Sequence, residues 1–383
     1  MNRIILIGNG FDLAHGLRTS YKHFIDDYWK RKSILIAKTD SHIYKDDDFS
    51  MTINEGESLS KHWSPFCDKI QSYYDFKKHM YHVHDLMGRG RINPWFYFTY
   101  YNKFLEKIMG HCHDANWVGI EEGYYSCLKD CINENKEIDS LNYDFGKIKK
   151  ALEAYLKEDV NDKLRDFSID FPYQDIVEKI YSDFKKDDFA ESAKDIELGM
   201  SPNSILFLNF NYTSTIYYYS EKEMINHFFN NKSQPKIESI YIHGKLGAKN
   251  NPIIFGYGDE KDEYYRHIKS LNDRRYFENM KNYKYLETDN YKKLQNYLNL
   301  DYYQVFILGH SCGNSDRTLL NTLFEHDNCI SINPFYYINE RGEDNFSDLT
   351  RNISQHFTDD GVMRDKVVVK THCEPFCNNS LYE

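Results

Sequence analysis

The apolar positions of the chain begin with the run Arg3-Ile4-Ile5-Leu6-Ile7, which ends abruptly at Gly8. A nearly continuous β-branched run of this length is typical of a strand that is buried on both faces of a parallel sheet. Thr19 and Ser20 then offer a helix N-cap. The apolar residues that follow have helical spacing and are Tyr21, Phe24, Ile25, Tyr28 and Trp29. The opening therefore predicts a strand, a glycine loop and a helix.

The middle of the chain has helical periodicity and few strand-like runs. Apolar stripes with helical spacing occur within residues 96–108, 148–156 and 176–184. The polar segment from Thr39 to Ser64 predicts an exposed loop or a partly ordered excursion. We therefore predict that residues 31–199 form a helical insertion domain.

Strand-like runs return after residue 200. They cover residues 204–208, 239–242, 252–255, 304–308, 329–332 and 366–370, and residues 313–325 predict a helix that crosses between two of them. This order predicts an α/β fold with a Rossmann-like, mostly parallel sheet. Residues 1–30 and 200–383 would form this nucleotide-binding domain, and the helical insertion would follow its first strand and helix.

Composition narrows the class of protein. The 383 residues are 41% hydrophobic and 28% charged, which excludes wholesale disorder. The net charge of −11 disfavours broad attraction to nucleic acid or to an anionic membrane. The sequence shows no signal peptide and no apolar run of roughly 18 residues, so we expect a cytoplasmic protein without a membrane partner. Eight scattered cysteines indicate reduced thiols.

Polar residues follow the predicted strands at the points where parallel sheets bind ligands. The strand-end segments supply Gly8, Asn9, Gly10, Phe11, Asp12 and His15 after the first strand, Asn211 and Thr213 after the second, His243 after the third, Gly256 after the fourth, and Gly309, His310, Ser311 and Asp316 after the fifth. A scaffold alone does not require polar groups at five successive strand ends. The pattern therefore predicts a ligand site at this edge of the sheet.

Gly8 and Gly10 would allow the backbone to turn tightly and to approach a ligand phosphate. Their spacing matches neither the GxGxxG dinucleotide fingerprint nor the GxxxxGK[ST] phosphate loop. Ordinary NAD-dependent dehydrogenases and Walker-type ATPases are therefore disfavoured. A tight turn between strand and helix explains the two glycines without any ligand.

Asn211 and His243 are the candidates for catalysis. The amide of Asn211 can donate and accept hydrogen bonds together, as holding a ribose hydroxyl or a water requires. His243 can exchange a proton near neutral pH. Each residue also has a structural interpretation, because an Asn at a strand end commonly caps a turn and a single His is commonly a satisfied histidine.

Other chemical motifs are weaker. His79, His82 and His84, with His111-Cys112-His113, match no zinc spacing, so no metal site is predicted. Cys127 and Cys131 lie one helical turn apart and are interpreted as packing residues. The basic and aromatic stretch from Arg266 to Lys293 is the best nucleic-acid candidate, but a solvated helical face explains it more simply.

Five segments together resemble the bacteriophage abortive infection AbiH family. They are IILIGNGFDLAHGLRTSY, FLNFNYTSTIY, YIHGKL, IIFGYG and FILGHSCGNSD. The resemblance implies a bacterial defence protein that restricts phage, and it leaves the biochemical activity open.

The same segments are more distantly similar to sirtuin-like domains. That similarity implies a Rossmann-like fold that binds NAD, and defence members of the group cleave NAD to nicotinamide and ADP-ribose. It also implies roles for single residues: Gly8 and Gly10 in the cofactor loop, Asn211 orienting the nicotinamide ribose or a water, His243 as the base, and Gly309, Ser311 and Asp316 around the adenosine. Sirtuin-like enzymes usually carry Asp where this chain has Thr213, so Asp12 or another carboxylate would substitute, or the chemistry differs.

The first hypothesis is an antiphage effector that binds and hydrolyses NAD or a related nucleotide at the N-glycosidic bond. A phage-derived trigger would activate it, and the insertion would act as a sensor, a regulator or a homo-oligomer interface. One alternative is a module that senses a nucleotide without catalysis. Another is an RNA-directed toxin of the nuclease class, with the stretch from Arg266 to Lys293 as its guide surface.

Overall fold

The computed structural model describes residues 1–39, 41–53, 69–78, 96–110, 117–134, 136–161, 164, 174–193, 199–220 and 234–376. The chain divides into two compact units. The sheet unit comprises Met1–Thr19 and Leu156–Glu383, and the second unit comprises Ser20–Tyr155. The sequence pattern places the corresponding breaks near residues 30 and 200.

The strands of the described residues fall into two sheets. They are β1 (Asn2–Ile7), β2 (Ile43–Lys45), β3 (Phe49–Ile53), β4 (Phe96–Tyr100), β5 (Ser204–Asn209), β6 (Lys236–Tyr241), β7 (Tyr303–Leu308) and β8 (Cys329–Phe335). The sheet unit holds a five-stranded sheet in the order β6-β5-β1-β7-β8, and all of its pairings are parallel. The predicted Rossmann-like α/β fold is confirmed.

Helices connect and cover these strands. Those described are α1 (Asn9–Ala14), α2 (Tyr21–Ala37), α3 (Lys103–Gly110), α4 (Trp117–Asn133), α5 (Ile138–Tyr155), α6 (Gln174–Ile180), α7 (Tyr217–Ser220), α8 (Glu263–Ser270), α9 (Lys281–Lys284), α10 (Asn290–Leu298), α11 (Arg317–Phe324), α12 (Phe346–Ser354) and α13 (Asp360–Lys366). The predicted cap of α2 is confirmed, because the Ser20 side chain accepts a hydrogen bond from the His23 N–H at 3.2 Å. The predicted crossover helix is α11, which a short 3-10 turn (Asn314–Asp316) precedes.

Both faces of the parallel sheet are buried, which explains why β1 is apolar at successive positions. Ile4 and Leu6 belong to a cluster that includes the apolar side of α11. Ile5 and Ile7 belong to a second cluster with Phe11 of α1 and the apolar side of α6. Each fully buried aliphatic side chain of this kind contributes roughly 1.5–3 kcal/mol to folding. The clusters hold the loops at the strand ends on a rigid support.

The second unit contains a sheet that the sequence pattern did not predict. Strands β2, β3 and β4 form an antiparallel sheet, so the prediction of one helix over residues 96–108 is wrong. The backbone is extended as far as Tyr100, and α3 begins only after Asn102, whose Oδ1 accepts the Leu105 N–H at 2.7 Å. The apolar residues that looked like one helical stripe belong in part to strand β4 and in part to helix α3.

The acidic run Asp46-Asp47-Asp48 forms the turn between strands β2 and β3 of this second sheet. The Asp46 side chain accepts the backbone N–H groups of Asp48 and Phe49 and so forms the turn from β2 to β3. Asp48 lies 2.8 Å from the ammonium nitrogens of both Lys32 and Lys147. The prediction that this segment is an exposed loop is therefore wrong within residues 43–53.

Two of the predicted strands are absent from the parallel sheet. Ile253, Ile254 and Phe255 are buried but are not in a strand, and the Ile254 N–H donates to the carbonyl of His243 at 2.7 Å. Residues 366–370 begin at the end of α13, and Val367 pairs with β8 only through one isolated bridge to Ile332. Apolar side chains in both segments pack on the existing core, which gives them the composition of strands without a ladder.

The thiols of the described cysteines are free, as the sequence predicted; these are Cys127, Cys131, Cys312, Cys329 and Cys373. No helix among the described residues has the length and apolar character that a membrane span requires.

Candidate functional site

The carboxyl ends of β5, β1, β6 and β7 lie at one edge of the sheet, because these strands are parallel. Polar side chains at this edge form two buried groups. The Asp12 cluster consists of Asp12, His15, Asn211, Thr213 and Tyr219. The Asp316 cluster consists of His243, Lys281, Tyr285, His310 and Asp316. The sequence analysis predicts that polar groups gather at this edge, because the carboxyl ends of parallel strands lie together.

Gly8, Gly10 and Gly309 bring two loops into direct backbone contact. A Cβ atom on Gly309 would lie 2.1 Å from the Phe11 nitrogen, and one on Gly8 would lie 2.4 Å from the His310 Cα. The N–H groups of Gly8 and Gly10 donate to the carbonyls of Leu308 and Gly309 at 3.2 and 2.8 Å. In this structure the three glycines allow the loops after β1 and β7 to pack closely. Binding of a ligand phosphate by Gly8 and Gly10 stays a prediction.

Three further candidates lie outside both clusters. Asn9 is half-buried at the start of α1. Gly256 is buried, and a Cβ there would lie 2.0 Å from the Asn279 carbonyl oxygen. Ser311 is exposed, and its carbonyl accepts a hydrogen bond from Asn352 at 2.8 Å.

Asp12 is a buried carboxyl group with one satisfied oxygen. Its Oδ2 accepts a hydrogen bond from the Thr213 hydroxyl at 2.6 Å, and its Oδ1 has no hydrogen-bond partner among the described residues. Burial raises the pKa of Asp12 to about 6, although the hydrogen bond from Thr213 opposes the shift. A carboxyl group with this pKa can change its protonation state close to neutral pH.

His15 is held on both sides of its ring. Its Nδ1 lies 2.6 Å from the Phe11 carbonyl, which can only accept, so Nδ1 carries the proton. Its Nε2 then accepts from the Tyr219 hydroxyl. Burial lowers the pKa of His15 to about 4, so the ring is neutral at pH 7. His15 fixes α1 against Tyr219.

Asn211 connects two strand ends. Its Nδ2 donates to the Gly8 carbonyl at 2.9 Å, and its own N–H donates to the Asn209 side chain at 2.9 Å. No hydrogen bond between Asn211 Oδ1 and a described residue is present, which leaves an acceptor at the carboxyl edge. The hydrogen bonds of Nδ2 and of the backbone N–H fit the capping interpretation, and the available Oδ1 is compatible with the catalytic one.

Asp316 is the centre of a buried charge network. Its Oδ1 lies 2.9 Å from the Lys281 ammonium and 3.0 Å from His243 Nε2. Burial alone would raise the pKa of Asp316, but the charge of Lys281 and the His243 ring outweigh it and hold the pKa far below its ordinary range. Asp316 is therefore an anion at all ordinary pH values, and Lys281 is its counter-ion.

The Asp316 carboxylate determines the tautomer of His243. Because a carboxylate accepts hydrogen bonds, Nε2 carries the ring proton and Nδ1 carries the lone pair of the neutral imidazole. Nδ1 makes no hydrogen bond to a residue that the structure describes. An imidazole that is fixed through one nitrogen and open at the other has the arrangement of a general base.

His310 lies beside His243 and has the same tautomer, but its Nδ1 already accepts a hydrogen bond. Its Nδ1 accepts the Cys312 N–H at 3.0 Å, so the proton of the neutral ring is on Nε2, which is 3.8 Å from Asp316 Oδ2. Burial lowers the pKa of His310 to about 4. The Phe210 ring contacts both histidines, with centroid distances of 5.0 Å to His243 and 4.2 Å to His310.

Sequence reasoning missed Lys281 and Tyr285 as members of the site. The sequence analysis places His310 with Gly309 and Ser311 after the fifth predicted strand, two residues beyond the end of β7, but assigns it no role. Lys281 was included in the basic surface predicted for residues 266–293, but it is fully buried. Its helix has only four residues, which is too short for an apolar period to show which side chain points inward. Two other charges of that stretch are paired locally, Arg275 with Asp273 and Lys284 with Glu287.

The histidines that were considered as metal ligands, His79 to His84 and His111 to His113, lie outside the described residues. Among the residues that are described, no group of three or more His, Cys, Asp or Glu side chains could hold a metal ion.

The raised pKa of Asp12 predicts a pH-dependent effect on stability. The folded protein binds this proton more tightly than the unfolded chain does, so ionisation of Asp12 lowers stability as the pH rises from about 4 through 6. We expect Asp12→Asn to gain about 2–3 kcal/mol in free energy of unfolding, relative to the wild type, between pH 4 and pH 8. Urea unfolding at both pH values measures this gain. A constant difference between the two proteins would contradict the raised pKa.

Comparison with known proteins assigns the chain to a family. The family model described as Bacteriophage abortive infection AbiH matches residues 4–338. The chain belongs to the AbiH family. The match includes every residue of both clusters, and family membership implies a role in abortive infection of phage. No curated protein matches the chain.

Proposed function

We propose that this AbiH family member binds NAD or a related nucleotide at the carboxyl edge of its parallel sheet and hydrolyses the N-glycosidic bond. The observation that carries the proposal is the state of His243, with Nε2 fixed by Asp316 and Nδ1 available as a base. Nucleotides bind at this edge in Rossmann-like sheets. The similarity to sirtuin-like domains supports the same substrate class.

In the proposed reaction, the bond between the ribose C1′ and the nicotinamide nitrogen breaks, and its electron pair leaves with the nicotinamide. Water attacks the oxocarbenium-like C1′ and transfers its proton to His243 Nδ1. The Asp316 carboxylate stabilises the imidazolium that forms, because it already lies 3.0 Å from Nε2. Asn211 Oδ1 orients the water or a ribose hydroxyl by accepting a hydrogen bond.

Asp12 supports this proposal despite the absence of a carboxylate at position 213. The Thr213 hydroxyl lies 2.6 Å from Asp12 Oδ2, so a carboxyl group stands directly beside the position at which sirtuin-like enzymes carry Asp. With a pKa of about 6, Asp12 is mostly ionised at pH 7 and can stabilise positive charge that develops on the ribose.

Nicotinamide release from NAD by the purified protein tests the proposal. We expect His243→Ala and Asn211→Ala to lower the rate by about 100-fold or more, because each removes a group that handles the attacking water. His267→Ala is the matched control, since His267 is exposed on α8 and belongs to neither the Asp12 cluster nor the Asp316 cluster. Circular dichroism should show that all variants are folded. Equal release by the wild type and both site variants would contradict the mechanism.

The second candidate is a module that senses a nucleotide without catalysis. The observation that favours it is that Thr213, at the position where sirtuin-like enzymes usually carry Asp, cannot carry charge. In this case the wild type would bind NAD saturably in calorimetry and release no nicotinamide. A phage-derived trigger and assembly into a homo-oligomer stay predictions under either function.

A further inference from the structure

A cavity of about 350 Å³ lies in the sheet unit beside β7 and β8. It shares no lining residue with the Asp12 cluster or the Asp316 cluster. Asp188 and Asn333 line it together with the rings of Phe306 and Phe335. Its volume lies within the range of small-molecule sites.

Two of the lining residues carry a buried acceptor that has no hydrogen-bond donor among the described residues. Asp188 and Asn333 are only 5% and 3% exposed. Asp188 Oδ2 accepts hydrogen bonds from Gln304 Nε2 at 2.9 Å and from Asn333 Nδ2 at 3.3 Å. Asp188 Oδ1 and Asn333 Oδ1 have no partner among the described residues. A buried acceptor without a donor is costly, and no residue that the structure describes supplies a donor to these two oxygens.

The cations near the cavity do not supply that donor. The Arg3 guanidinium donates to the Gln304 side chain and to the carbonyls of Ile180 and Ser182. Lys185 pairs with Glu374 at 2.6 Å, and Lys179 donates to the carbonyl of Phe376 at 3.1 Å. These groups are engaged elsewhere.

The charge of the lining favours a cationic ligand. Among the described residues, four carboxylates line the cavity against two lysines and His372; the carboxylates are Asp175, Glu178, Asp188 and Glu374. An aromatic ring such as Phe335 can cover an alkyl chain next to the charged end of such a ligand.

We infer that this cavity binds a primary ammonium group, with Asp188 Oδ1 and Asn333 Oδ1 as its acceptors. An ammonium has three N–H donors and suits two oxygens, whereas a guanidinium brings five donors. A hard metal ion would need six or more oxygen ligands. The ammonium belongs either to a free diamine or to a lysine side chain of a polypeptide. The inference does not depend on the proposed nucleotide chemistry.

Calorimetric titration of the full chain tests the inference with three probes. Putrescine represents a free diamine, Nα-acetyl-lysine amide represents a lysine side chain, and 1,4-butanediol is the uncharged match of putrescine. We expect at least one amine to bind and the diol not to bind. Tighter binding of putrescine would assign the site to free diamines, and tighter binding of the lysine derivative would assign it to a polypeptide.

Variants locate the binding. Asp188→Asn keeps the size of the side chain but removes its charge, and we expect it to weaken binding of the amine about tenfold or more. Glu178→Gln is the matched control, because Glu178 lines the same cavity but has a described hydrogen bond to Gln174 and no unpartnered buried atom. It should change the affinity by less than about twofold.

Two results would overturn the inference. Wild-type protein that binds neither amine at millimolar concentration would show that the two oxygens need only water. Unchanged affinity in folded Asp188→Asn would show that the amine binds elsewhere. If Asp188→Asn does not fold, the wild type still provides a test: binding of putrescine without binding of butanediol supports an ammonium site, and equal binding of the two contradicts it.

Discussion

Gly309→Ala is expected to lower the free energy of unfolding by about 3–5 kcal/mol or to prevent folding. The residue has a φ of +72°, and a Cβ would lie 2.1 Å from the Phe11 nitrogen and 2.5 Å from the Gly10 carbonyl carbon. The cost combines a left-handed backbone for a residue with a side chain, about 1–2 kcal/mol, with overpacking against backbone atoms that cannot move aside.

Gly247→Ala is the control for this prediction. Gly247 has nearly the same φ, +74°, but a Cβ there would meet nothing within 4 Å. We expect it to cost only about 1 kcal/mol, the backbone contribution alone. Urea unfolding of both variants separates backbone strain from crowding. Equal costs at the two positions would show that the loops after β1 and β7 are not in close contact.

Asp316→Asn is expected to destabilise the protein by about 3–5 kcal/mol, because it leaves the Lys281 ammonium buried without its anion. The side chain of Lys281 is 1% exposed and that of Asp316 is 7% exposed. The control is Asp273→Asn, which breaks an exposed pair with Arg275 and should cost less than about 1 kcal/mol. Urea unfolding at neutral pH measures both.

A double variant tests whether the charge pair causes this loss. Adding Lys281→Met to Asp316→Asn removes the unpaired cation, so we expect the double variant to be more stable than Asp316→Asn alone. The stability of Asp316→Asn at acidic pH gives a second check. The folded pKa of Asp316 is depressed, so its contribution exists above the pKa of an unfolded Asp and is lost as the pH falls toward the folded value. The stability deficit of Asp316→Asn should therefore shrink in acid. A deficit that is independent of both Lys281 and pH would contradict the ion pair.

The positions of site residues were predictable wherever they follow directly from a strand end. Asn211 and His243 each come two residues after a strand, β5 and β6 respectively, so parallel strand direction places them at one edge. Lys281 and Asp316 come from segments between strands, and their meeting at 2.9 Å depends on how those segments fold back. Nothing in the local pattern of either segment encodes that contact.

In the second unit, the local sequence pattern also fails to determine the secondary structure. An aromatic run such as Phe96 to Tyr101 fits a strand or a helix, and pairing of β4 with β3 decided for the strand. The stacking of Phe98 on Phe49, with centroids 4.8 Å apart, requires that pairing. The hydrophobic periodicity of a short segment cannot predict a contact between residues so far apart in the chain.

The sequence by itself determined the Rossmann-like sheet of this AbiH family member, because a strand buried on both faces needs a continuous apolar run such as Ile4 to Ile7. It also determined the edge at which polar groups gather. Only the tertiary structure decided which of those groups act together: it fixed the His243 tautomer through Asp316, buried Lys281 as the counter-ion and placed Asp12 beside Thr213. Charges and hydrogen bonds act through distance in space, and distances between segments remote in sequence exist only once the chain has folded.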